Sequence, residues 1–83
     1  MSSFGEIKAV LAEVAEQTRA AVELARRAAD GIDAAVRTLV EVGRQHHESL
    51  VPDALSRAGD ELARGREHLI AAADAVADID ARL

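Results

Sequence analysis

Cysteine, tryptophan and tyrosine are absent from this 83-residue chain, which has one proline, Pro52, and one aromatic residue, Phe4. Without thiols there are no disulfides and no thiolate metal ligands, so two of the usual supports of a small domain are missing. The lack of aromatic platforms, with a net charge of −5, excludes the basic stacking surface that nucleic acid requires. Long apolar runs are missing too. The longest uncharged apolar stretch of the second half, Leu69 to Ala73, is far short of the roughly 20 residues that span a bilayer, so no membrane insertion is expected. Residues 1–16 place Glu6, Lys8 and Glu13 where a leader would carry its apolar core. We therefore expect a cytoplasmic protein, or one exported without a cleavable signal peptide.

Alanine is abundant, at nineteen residues, and apolar positions recur with the alternating spacing of three and four that marks a packed helix pair. Before Pro52 one column runs Leu11, Thr18, Ala25, Ile32, Leu39, beside Val14, Ala21, Ala28, Ala35, Val42. After it, Leu55, Leu62, Leu69, Val76, Leu83 run beside Ala58, Gly65, Ala72, Ile79. Ser3-Phe4-Gly5-Glu6 has the form of a capping box, which starts the first helix near Phe4. Gly43 and the basic run behind it weaken the helix toward its end. Asp30-Gly31 favours a turn in isolation, yet the ladder keeps phase across it, which predicts one continuous helix about 65 Å long. Pro52 and Asp53 suit a helix start.

These signals predict an all-α, single-domain chain over residues 1–83. It is an antiparallel two-helix hairpin with helices at about 4–45 and 52–82 and a turn at about 46–51. Folding the ladders together opposes Leu39 to Leu55, Ile32 to Leu62, Ala25 to Leu69, Thr18 to Val76 and Leu11 to Leu83. That register leaves Phe4, Ile7 and Val10 as an apolar overhang. It also leaves Val22, Leu24, Val36 and Val40 beside the first ladder and Ile70 beside the second. A lone hairpin has no cover for them, so a second hairpin is expected to dock and complete a four-helix bundle. The predicted interface residues are Ile7, Val10, Val22, Leu24, Val36 and Ile70.

No catalytic, cofactor or metal site is expected. His46 and His47 are adjacent and diverge by about 100° on a helix, whereas chelation favours partners one turn apart. His68 belongs to the other helix. The pairs Asp30 and Asp33, and Asp78 and Asp80, have no nucleophile or orienting partner at a recognisable spacing, and the glycines form no phosphate loop. Arg19-Glu23-Arg27 and Asp33-Arg37-Glu41 are spaced for ion pairs on a solvated outer face.

The segments Glu6-Ile7-Lys8-Ala9-Val10-Leu11, Val51-Pro52-Asp53-Ala54-Leu55 and Ala71-Ala72-Ala73-Asp74-Ala75-Val76, in a small acidic cysteine-free hairpin, resemble the WXG-type (ESAT-like) proteins of type VII secretion and polymorphic-toxin loci. Residues 43–53 contain no tryptophan-x-glycine, so the likeness is to a WXG-lacking relative. No tyrosine is present for that family's tyrosine-based export signal. The resemblance implies a non-enzymatic substrate, adaptor or toxin companion, dimerising with itself or with a related hairpin such as the leading domain of a toxin. A structural or scaffolding bundle unrelated to secretion is the other function that the same pattern serves.

Overall fold

The computed structural model describes residues 3–83 as two helices joined by a short turn, α1 (Phe4–His46) and α2 (Asp53–Arg82), and no strand is present among the described residues. The helices pack against each other as a hairpin 65 Å long and less than a third as wide. The capping box forms as its sequence predicts. The Glu6 amide donates to Ser3 Oγ at 3.1 Å, and the Ser3 amide donates to Glu6 Oε2 at 3.4 Å. α1 passes Gly31 without a break. A helical glycine costs about 1 kcal/mol relative to alanine, which is less than interrupting a seam packed on both sides of it would cost.

Both ends at the turn differ slightly from the sequence expectation, and each has a local cause. α1 runs three residues past Gly43. It closes in a Schellman arrangement, with the His47 amide donating to the Arg44 carbonyl at 3.4 Å and the Glu48 amide to the Gly43 carbonyl at 3.1 Å. His47 takes the left-handed conformation (φ 58°, ψ 27°) that is usually a glycine's. Gly43 matters for space instead: it is buried, and the returning chain passes directly over its Cα. Pro52 stands one position before α2 rather than inside it. Its extended ψ of 140° aims its carbonyl at the Leu55 and Ser56 amides, at 3.0 and 3.3 Å.

One column of each predicted ladder is in place, whereas the other is displaced by one residue. Leu11, Thr18, Ala25, Ile32 and Leu39 are partly covered, but toward the turn Ala28, Ala35 and Val42 are exposed, and Ala29, Val36 and Gly43 are the covered positions. α2 behaves alike: Leu55, Leu62, Leu69 and Val76 stay in the seam, and toward its end Ala73 and Asp80 replace Ala72 and Ile79. Val22, predicted to flank the seam, is half-buried in it, as is Val36.

The axial register also moves. Ile32 Cγ2 lies 3.3 Å from where a Cβ on Gly59 would stand, rather than opposite Leu62, and Ala25 shares one groove with both Leu62 and Leu69. The leucines of α2 therefore interleave with the α1 column, about 4.5 Å farther from the turn than the expected pairing. As a result α2 reaches farther along α1. Lys8 meets its end, with Nζ 3.2 Å from Asp80 Oδ1 and 3.0 Å from the Asp80 carbonyl oxygen. Val10 is thus no overhang, and its exposure has another cause.

Besides the Lys8–Asp80 pair, Thr18 and Arg66 place polar groups in the seam. Thr18 satisfies its hydroxyl by donating to the Val14 carbonyl at 2.7 Å. Arg66 does not: it is half-buried, and its Nε is shielded from solvent with no hydrogen-bond partner. An unmet donor in such a place costs on the order of 1 kcal/mol or more. Arg66→Met keeps the aliphatic stem and removes the donor, so its thermal midpoint is expected to rise by about 4–8 °C for each kcal/mol gained. A melt monitored by circular dichroism that shows no rise would mean the guanidinium finds a partner in solution.

Candidate interaction surface

The displaced columns determine what the hairpin leaves uncovered. In an antiparallel pair, the position just before each seam residue falls on the same side of the hairpin in both helices, and the position just after falls on the other side. Lys8 and Asp80, which continue the columns that follow, meet across that second side. The vacated positions therefore face one way together, Ala28, Ala35 and Val42 from α1 with Ala72 and Ile79 from α2, while Val14, Ala21, Ala58 and Gly65 in the same columns stay half-buried.

On α1 a further column lies beside the vacated one, formed by Val10, Gln17, Leu24, Gly31 and Thr38. With Ile7 the two make a second ladder, spaced three and four from residue 7 to residue 42, that contains no charged side chain. α1 thus carries two adjacent apolar seams, of which α2 covers one. The second seam is open apart from half-buried Val14 and Ala21, with Val10 57%, Leu24 63% and Ile7 41% exposed. Between the helices the same side carries a groove lined by Ala25, Ala58, Leu62, Gly65 and Leu69, with Glu61 and Arg66 of α2 at its edge, where a Cβ on Gly65 would touch nothing.

The six predicted interface residues do not form one surface. Ile7, Val10 and Leu24 share the uncharged side of α1. Val22 and Val36 are within the intramolecular seam, and Ile70 (41% exposed) projects from the opposite side, as does Val40. The residues missed are Ala28, Ala35 and Val42, which the spacing alone assigns to the intramolecular contact. The uncharged spacing from residue 7 to residue 42 was the signal for them.

The remaining face of α1 is charged and internally paired. Arg26 donates to Glu23 at 2.6 Å and to Asp30 at 2.9 Å, and Arg27 reaches Glu23 at 3.5 Å. The Arg26 hydrogen bond, assisted by both arginine charges, lowers the Glu23 carboxyl to about 2. Arg19 pairs with Glu16 and Arg44 with Glu41, so the predicted Asp33-Arg37-Glu41 run does not form. Such a face stays solvated and resists burial.

No group of three His, Cys, Asp or Glu among the described residues is placed to hold a metal ion, and none of the described helices is long and apolar enough to cross a membrane. His46 and His47 belong to the turn and His68 to the middle of α2. Known proteins add no relative, since the chain matches no family model, no curated protein and no solved structure.

Proposed function

We propose that this chain is a non-enzymatic helical-hairpin interaction module whose core is completed by a second hairpin, giving a four-helix bundle. The observation that carries this reading is the burial pattern. Among the described residues no hydrophobic side chain is fully buried, while Ile7, Val10, Leu24 and Val42 are exposed on the uncharged side of α1 and Ile79 on the same side of α2. A folded domain gains its stability chiefly from apolar burial, and a hairpin that buries so little is marginal alone. The resemblance to WXG-lacking type VII proteins gives the module its biological setting, as a substrate, adaptor or toxin companion. On this reading the partner contributes the export signal.

The test is to co-express the chain with a helical-hairpin protein encoded at the same locus. Co-purification at equal stoichiometry, with a melting temperature well above that of either chain alone, is the expected result. A chain that melts cooperatively as a monomer and is not stabilised by its own copies or by such a partner would overturn the reading. The secretion assignment is tested separately, by following the chain in the medium of its host with and without the secretion ATPase. Equal amounts in both cultures would end it.

A further inference from the structure

We infer that the partner is a second copy of this chain, and that two α1 helices pack antiparallel through their open seams about a two-fold axis beside Leu24. This inference rests on the interaction-module reading and specifies the occupant and the geometry.

The area argument comes first. The hairpin exposes 6146 Å². A compact monomer of 8.8 kDa exposes about 4,800 Å² by the usual mass scaling. The excess, on the order of 1,300 Å², exceeds the roughly 800 Å² that each partner contributes to a standard stable interface. A second copy docked along one side of the hairpin absorbs an area of this size.

Charge then selects the face and the occupant. A chain of net charge −5 meets its own copy without repulsion only where neither surface carries charge, and the α1 ladder from Ile7 to Val42 is such a surface. The corresponding positions of α2 include Glu61, His68 and Arg82, so α1 is the better centre of the contact.

Symmetry fixes the register. A helix that packs antiparallel on its own copy needs a ladder whose two halves match about a midpoint. In one column Ile7 then meets Val42, Val14 meets Ala35 and Ala21 meets Ala28. In the other, Val10 meets Thr38, Gln17 meets Gly31 and Leu24 meets itself. Both columns centre within one residue of each other and of the middle of α1, so the overlap runs the full length of the helix. Leu24, the one large side chain of the central turns, sits beside Ala21, Ala28 and Gly31, where small residues leave room for a knob.

The chain contains no cysteine, which makes single-cysteine cross-linking clean. On oxidation with diamide, Leu24→Cys is expected to give a covalent dimer, because the two positions adjoin the axis. Val10→Cys is expected to give none, because Thr38 of the other copy lies opposite it. Equal cross-linking at both positions, or at Val10 alone, overturns the antiparallel register.

Sedimentation at micromolar concentration supplies the second arm. The wild-type chain is expected to be a dimer, as is Val40→Glu/Ile70→Glu on the far side, whereas Ala28→Glu/Ala35→Glu is expected to be monomeric. A dimer that survives the alanine substitutions overturns the face. A wild-type monomer overturns self-association, and if that monomer still takes up a different hairpin, the interaction-module reading stands without this inference.

Discussion

Replacing Gly43 with alanine is expected to destabilise the hairpin by about 3 kcal/mol, through overpacking and a disrupted hydrogen bond. A Cβ there would stand 2.5 Å from the Glu48 carbonyl oxygen and 3.5 Å from the Leu50 amide nitrogen. Both are backbone atoms of the returning chain, so no side-chain rotation relieves the clash. The turn must open, and the Glu48 amide then loses the Gly43 carbonyl that ends α1. At about 4–8 °C per kcal/mol, the thermal midpoint should fall by more than ten degrees. His47→Gly should act in the opposite direction, because left-handed backbone costs a non-glycine residue roughly 1 kcal/mol. A thermal melt followed by circular dichroism measures both. A Gly43→Ala midpoint within two degrees or so of wild type would mean that the loop moves aside freely and sets no register.

That turn also explains why part of the fold was legible in the sequence and part was not. The capping box at Ser3, the continuity through Gly31 and the reversal before Pro52 are decided by local chemistry, and the residues display it. The second column of the seam is not local. At Val14-Ala15, Ala21-Val22, Ala28-Ala29, Ala35-Val36 and Val42-Gly43, α1 offers two apolar neighbours, and either member of each pair keeps the three-four spacing. Hydropathy cannot choose between them.

The ends of the hairpin do choose. Gly43 must face the returning chain because it alone has room for it, and Lys8 finds Asp80 on the same side. In α2 this choice even opposes hydropathy, seating Asp80 in place of Ile79 and Arg66 beside Gly65. The open seam was hidden for the same reason, since its alanines had been assigned to the intramolecular contact. Tertiary geometry at two points thus decided a phase that the periodicity left degenerate.

The sharpest consequence of that phase is the double substitution Val22→Glu/Val36→Glu. If both valines faced outward, as their place beside the predicted ladder implied, the substitution would separate the oligomer and leave the helices folded. Half-buried between α1 and α2, they give a different result. Each glutamate removes an apolar side chain worth about 1–2 kcal/mol of burial. Each also sets a charge against the apolar seam, which costs on the order of 1–3 kcal/mol more unless the side chain escapes to water. The sites are two heptads, about 21 Å, apart along the helix, so the losses add. A total of several kcal/mol exceeds what so small a core holds in reserve, and most of the helical circular-dichroism signal is expected to disappear. The comparison with Ala28→Glu/Ala35→Glu, which places the same charges beside Ala29 and Val36 in sequence, separates folding from association. That variant keeps the seam and is expected to keep its helicity at low concentration. Should Val22→Glu/Val36→Glu stay helical and melt cooperatively while the alanine variant unfolds, the seam would run through Ala28 and Ala35, and the exposed ladder from Ile7 to Val42 would be the intramolecular one.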